Sequence, residues 1–391
     1  MSKWLSANEA AKELGITRAT LYAYVSRGIL RSSAVAGSSR ERRYAAADVE
    51  RLRTRAEDRR DPGRVAERAL HWGGPVLESS ITLIAENHLN YRGHDAIDLA
   101  RAQSVEEVAS LIWGGSFDAI DFSSTPLHVI GGGRSNEGLP FANRAESVLP
   151  IVAARDPLAF DLRPRAVAQT GWRILNLLAS VAADSPDLGD TIEETLQRKW
   201  APRDKRAAER IRQALIVCAD HELNVSSFTA RCIASAGANP YAVVTGAMAA
   251  MEGVKHGGMS ARVESMLDDL AGARDVTAAL ADRLRRGEPI YGFGHPLYPG
   301  GDPRAAFLLE GVRDKFTMRV IAAAEEVVGD KPTVDFALVV LSRAMKLPRG
   351  SALTLFALGR TIGWIGHAIE QYARDEIIRP RARYVGPVTS V

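Results

Sequence analysis

The feature that most limits what this chain can become is a long succession of helical periods. From about Ser79 onward, Ala- and Leu-rich stretches follow one another, interrupted by Gly, Pro and Asp, with few β-branched runs in strand-like alternation. This pattern predicts an all-α domain. Ser104 to Trp113 is a clear instance: Ser104 is placed to cap, Glu107 stands three residues later, and Val105, Val108, Ala109 and Ile112 share one face. Residues 118–143, richer in Gly, Ser and Pro, read as a connection. No segment recurs at a fixed period, which argues against a solenoid. With 391 residues, 46% of them hydrophobic, the chain is longer than one average domain and has enough apolar material for a sizeable core. No uninterrupted apolar run reaches the length of a membrane span and Met1 to Trp4 leads into no signal-like block, so a cytoplasmic protein is expected. The two cysteines, Cys218 and Cys232, have no metal-ligand spacing, and neither a disulfide framework nor a metal site is expected.

Charge is unevenly placed. Residues 1–70 hold 15 basic and 9 acidic side chains, a balance of +6, which leaves −3 for the rest of a chain whose total is +3. Within this basic part, Ser6 and Glu9 form a capping-box pattern, Ala10, Ala11 and Leu14 share a face, and Gly15 ends the helix. Thr17 caps a second helix with Leu21 and Val25 inward and Arg18, Thr20, Tyr24 and Arg27 outward, stopped by Gly28. A polar loop from Ala36 to Arg43 follows, then Tyr44 and a helix from Ala47 through Leu52, and Asp61-Pro62-Gly63 reads as a linker. The order resembles the winged helix-turn-helix of the MerR and excisionase type. That resemblance implies a second helix in the major groove and a wing, with Arg40, Arg42 and Arg43, on phosphates.

Three segments of the larger part combine polar residues with glycine in a way a purely structural bundle does not require. They are Ala219-Asp220-His221-Glu222-Leu223-Asn224, Lys255-His256-Gly257-Gly258, and Gly292-Phe293-Gly294-His295 running on to Asp302-Pro303-Arg304. Glycines beside His256 and His295 would let backbone approach a ligand. A fourth segment, Thr333-Val334-Asp335-Phe336, places a carboxylate at the head of an apolar helix. Taken singly, each has a structural explanation: a histidine beside glycine as a helix-end residue, an aspartate before an apolar run as an N-cap. His71, His88, His94 and His128 belong to no such constellation, and His367 reads as packing within a helix.

The order of these segments, with Tyr91 to Ala100 before them and Gly359-Arg360-Thr361-Ile362-Gly363-Trp364 and Ile378-Arg379-Pro380-Arg381 after, resembles the citrate synthase family from about Ile81 to Gly386. The resemblance implies large and small helical domains behind the small N-terminal winged helix-turn-helix-like one: residues 1–60 and 61–391, with a small subdomain over roughly 225–335. It also implies roles. Asp335 is the base that removes a proton from an acyl-CoA methyl, His256 donates to the enolate oxygen, and His295 polarises the keto oxygen of oxaloacetate. His221, Arg304, Arg360 and Arg379 grip the dicarboxylate, Arg379 from a second subunit of a homodimer or higher oligomer. Lys255, Gly292, Phe293 and Gly294 border the acyl-CoA, which is substrate; no tightly bound cofactor and no metal are implied. The chemistry suits these residue types, since a thioester methyl is a weak carbon acid that needs both a base and an oxyanion donor. Three departures stand out: Cys218 lies where the family commonly has histidine, Val254-Lys255 replaces the frequent Pro-Leu before the second histidine motif, and residues 296–301 lack the basic side chains many members carry there.

Three readings follow. The first is an enzyme making citrate from acetyl-CoA or methylcitrate from propionyl-CoA; a difference of one methylene leaves that choice open. The second is a DNA-binding regulator with a ligand-sensing domain. The third is an enzyme whose N-terminal part serves assembly or regulation.

Overall fold

A computed structural model describes residues 4–26, 29–34, 42–46, 48–49, 52, 77–122, 138–186, 189–382 and 384–387. The proposed linker at 61–63, residues 35–41 of the wing loop including Arg40, and Arg27, His71 and His128 lie outside them. Packing divides the chain into two compact units, residues 1–78 with 380–391, and residues 79–379.

In the first unit, β1 (Trp4–Ser6) leads into α1 (Ala7–Leu14), α2 (Arg18–Ser26), β2 (Ser32–Ala34) and β3 (Arg42–Ala45). Ser6 and Glu9 close the expected capping box, and Gly15 ends α1 in the left-handed region. The strands form an antiparallel sheet in the order β1-β3-β2, so β2 and β3 flank the wing loop. Ala10, Ala11, Leu21, Leu30, Tyr44 and Val49 make a core of its own. Tyr24 packs against that core, contrary to its expected outward direction, and Tyr22 is the exposed aromatic of α2.

The second unit is mostly helical. It opens, however, on a small antiparallel sheet of β4 (Thr82–Ala85), β5 (His88–Tyr91) and β6 (His94–Asp95), a detail the all-α expectation omits. There follow α3 (Ala96–Ala102), α4 (Val105–Gly114), α5 (Phe141–Ala153), α6 (Pro164–Ala183), α7 (Ile192–Trp200), α8 (Arg206–Val217), α9 (Val225–Ser235) and α10 (Pro240–Met251). The series ends with α11 (Met259–Ala271), α12 (Val276–Arg285), α13 (Pro303–Leu308), α14 (Lys315–Val328), α15 (Val334–Ala344) and α16 (Ser351–Arg374). Ser104 and Glu107 close the capping box of α4 as expected, but Ser110, Leu111 and Trp113 are buried as well as the predicted face. Helix α16 organises the core. It is long and apolar enough to cross a membrane, yet 94% of its apolar window is buried within the protein.

Candidate active site

The site is built by three loops that meet above α15 and α16. His221 lies in the turn after α8, His256 in the turn before α11, and His295 in the loop before α13. His221 and His295 stand with ring centroids 5.3 Å apart. Tyr298 joins them: its hydroxyl is 3.0 Å from Nε2 of His221 and its ring centroid 5.0 Å from that of His295. The guanidinium of Arg304 lies 5.4 Å from the Tyr298 ring centroid. Tyr298 did not figure among the expected site residues, because nothing in its immediate sequence signals that it will bridge two histidines.

Asp302 ties this loop to the expected base. Its carboxylate accepts from Nε and Nη2 of Arg304 at 2.9 and 2.8 Å, and also from the backbone N–H of Val334 at 3.0 Å. Thr333 makes no side-chain cap to α15, so Asp302 satisfies one of its orphan donors from a distant part of the chain. Asp335 lies in the first turn of α15, not at its cap, and accepts from the Ser260 hydroxyl at 3.2 Å. Desolvation, with the Asp302 carboxylate adding to it, raises its pKa to about 6 against the opposing pull of Arg304 and Ser260.

The Gly292-Phe293-Gly294 segment runs beside residues 331–333. Gly294 N–H donates to Lys331 at 3.0 Å, and Thr333 N–H to Gly292 at 2.8 Å. A Cβ at Gly292, where φ is +82°, would stand 2.8 Å from Val263 and 2.9 Å from Phe336. Gly257 and Gly258 are likewise crowded by protein, a Cβ at either meeting Met251 or the carbonyl of Glu252 within 2.7 Å. Chain-on-chain packing therefore requires glycine at these positions.

The imidazoles are held neutral. Burial, with Arg304 and Arg360 adding repulsion, lowers the pKa of His221 well below its usual value. Burial brings His256 and His295 each down to about 4, assisted by Arg360 in the first case and Arg304 in the second. Nδ1 of His295 accepts from Leu297 N–H at 3.2 Å, so its ring proton sits on Nε2. Nε2 of His256 is 2.8 Å from the Ser226 hydroxyl, which donates to Asn224 at 2.8 Å and accepts from the Trp364 indole at 3.1 Å. Arg360 is 1% exposed. Its Nε donates to the Cys218 carbonyl at 2.8 Å, and Nη2 has no hydrogen-bond partner among the described residues. The Cys218 thiol, pushed up to about 12 by burial, is an uncharged packing group.

His221, His256, His295, Arg304, Asp335 and Arg360 are thus carried to one region of the second unit. Lys255 is exposed beside His256. Arg379 is exposed beyond α16, and no contact joins it to the cluster among the described residues. His367, read as packing, is fully buried 3.2 Å from Asp220.

Known proteins share this architecture. Residues 164–381 match the model for the citrate synthase C-terminal domain, and residues 4–56 that for a helix-turn-helix domain. Citrate synthase of Haloferax volcanii is 32% identical over 354 residues, which span 80% of this chain and 93% of that protein. The 2-methylcitrate synthase of Shewanella oneidensis is 29% identical over 350 residues, 78% of this chain and 90% of that one. A solved ternary complex of citrate synthase from Thermoplasma acidophilum with carboxymethyl coenzyme A and oxaloacetate has the same fold, with a TM-score of 0.70 at 23% identity over 83% of this chain and 97% of that one. With more than half of its length matching the family model and a relative above 30% identity covered almost end to end, the chain belongs to the citrate synthase family of acyltransferases.

Proposed function

We propose that the protein joins the methyl carbon of acetyl-CoA to the keto carbon of oxaloacetate and releases citrate and CoA. The observation that carries this reading is the buried guanidinium of Arg360, whose Nη2 has no partner among the described residues while it lies beside the neutral imidazoles of His221 and His256. A buried cation left short of a hydrogen bond is costly unless a ligand completes it, and a carboxylate does so with charge. Arg304, already paired with Asp302, and His221 complete the grip on a dicarboxylate.

Asp335, raised toward neutrality, accepts the methyl proton. In the tautomer of neutral His256 that carries its ring proton on Nδ1, the Ser226 hydroxyl turns from Asn224 to donate to Nε2, and the Nδ1–H stabilises the enolate oxygen. The enolate carbon bonds to the keto carbon, and His295 gives its Nε2 proton to the keto oxygen. Water then cleaves the thioester, yielding the third carboxylate and the CoA thiol. Arg379 reaches oxaloacetate from the second copy of a homodimer, and Lys255 with Gly292, Phe293 and Gly294 borders the acyl-CoA. Residues 225–335 form a smaller body that carries His256, His295 and Arg304 and ends at Asp335. Two free cysteines support a cytoplasmic setting.

Free-thiol release with oxaloacetate and, separately, acetyl-CoA and propionyl-CoA tests this function. Release with acetyl-CoA preferred is expected, preference for propionyl-CoA makes the product methylcitrate, and release with neither refutes the reading. The helix-turn-helix match favours a second role for the N-terminal unit, DNA binding through Arg42 and Arg43 on β3, both exposed. Arg18 of α2 is occupied by the Asn8 side chain at 2.8 Å.

A further inference from the structure

We propose that Thr82 of the β4–β5 hairpin and His367 of α16 are positioning residues that act on His221 through the buried carboxylate of Asp220. The inference rests on the acyl-transfer reading only in giving His221 a substrate to hold.

Asp220 is fully buried and directly precedes His221. One of its oxygens accepts from the Thr82 hydroxyl at 2.6 Å and from the backbone N–H of Glu222 at 3.1 Å. The other stands 3.2 Å from Nε2 of His367, near enough for charge to act between them although the two atoms do not meet hydrogen-bond geometry. Nδ1 of His367 faces Nη1 of Arg231 at 3.5 Å, a group that can only donate, so the ring proton is directed to the Asp220 side. Arg231 in turn pairs with Glu370 at 2.7 Å and bonds Gln371 at 3.0 Å, which fixes the imidazole from behind.

Both neighbours of His221 are therefore clamped. The Tyr91 hydroxyl lies 3.2 Å from the Asp220 carbonyl and 3.3 Å from its amide nitrogen. Glu222 is held at φ +52°, a conformation costly for a residue with a β-carbon, and keeps it because its N–H is bound by Asp220 and its carboxylate accepts from Ile84 N–H at 3.4 Å. Helix α16 comes close enough for this because residue 363 is glycine: a Cβ there would lie 2.4 Å from both the Ala219 carbonyl and the Asp220 carboxylate. The imidazole of His221 must meet Tyr298 and a ligand carboxylate within a few tenths of an ångström, and a turn strained on one side holds that place only while its clamp is intact.

The test uses the full chain with Thr82→Val, His367→Leu and the donor-retaining His367→Gln. Hydrogen exchange of residues 219–224, read by mass spectrometry, reports the clamp without any turnover. Exchange faster by about tenfold in Thr82→Val and His367→Leu, confined to that segment and largely restored in His367→Gln, is the expected result. In active enzyme the oxaloacetate concentration for half-saturation should rise about three- to tenfold while kcat changes less than twofold, the size of one lost hydrogen bond or close charge contact. Unchanged exchange at 219–224 in both variants overturns the proposal, as does a rise spread evenly over α9 and α16. Wild-type thiol release is measured first: its absence refutes the acyl-transfer reading, and the exchange result then decides the clamp alone.

Discussion

Asp335 sits where a helix dipole favours a carboxylate, yet burial overrides that preference and raises its pKa to about 6. A base of that strength is better matched to a weak carbon acid, and it must be ionised to act. Turnover should therefore be flat above pH 7 and fall about tenfold per pH unit below 6, as a kcat–pH profile of thiol release will show. Asp335→Asn should lower turnover by at least about a thousandfold while the protein stays folded, and turnover near wild type in that variant removes the assigned base. The two arginines should part company. Arg304→Leu strands the buried Asp302 carboxylate and should cost about 3–5 kcal/mol of stability in urea unfolding, whereas Arg360→Leu removes a cation that lacks a full set of partners and should chiefly weaken oxaloacetate binding, by about tenfold or more. Equal stability losses in the two variants contradict that distinction. The residues proposed for acid-base work were legible in the sequence because each sits in a short, ordered motif. Tyr298 and Ser226 were not, since their importance comes only from the 3.0 and 2.8 Å contacts made across 77 and 30 residues of chain.

Helices were legible because a 3.6-residue apolar period repeats over enough turns to stand out, as in α4 and α16. The β4–β5 hairpin was not. Its strands are four residues each, and its turn places Glu86 and Asn87 at φ +50° and +66°, a two-residue turn with both centres left-handed. Such a turn is signalled by Asn-Gly or Asp-Gly, and Glu-Asn gives no warning. The close passage of α16 over residues 219–220 was equally hidden, since a glycine inside a helix reads as a mild weakness until its neighbour is known. Gly363→Ala should lower stability by about 1–3 kcal/mol through overpacking, with the exchange protection of residues 219–224 lost first. A thermal midpoint equal to wild type would show that the helix and the turn can separate at little cost.

Two partly buried histidines set how the whole molecule responds to acid. His256 and His295 have folded values of about 4 against an ordinary 6.5, so between those limits the unfolded chain binds protons that the folded one refuses. Stability should therefore fall as pH drops from 6.5 toward 4, by up to about 1.4 kcal/mol per pH unit for each histidine. Asp335 acts in the opposite sense, because its raised value makes the folded state the better proton binder below about 6. Thermal midpoints across this range should flatten in the His256→Gln, His295→Gln double variant, and an unaltered slope would mean the two rings are not held neutral. The N-terminal unit has its own core, so its behaviour can be read separately. If it meets DNA, replacing Arg42 and Arg43 by Ala should reduce the slope of log affinity against log salt by about 2 in a gel shift, and an unchanged slope takes those arginines out of the contact. The backbone pairing of residues 292–294 with 331–333, locked by Asp302, has a further bearing on redesign. The proposed proton acceptor and keto-oxygen donor are bolted to a common frame made almost wholly of main chain, so the walls around the acyl group can be recarved for bulkier thioesters without retuning the proposed pair, provided that Asp302 and Gly292 are left alone.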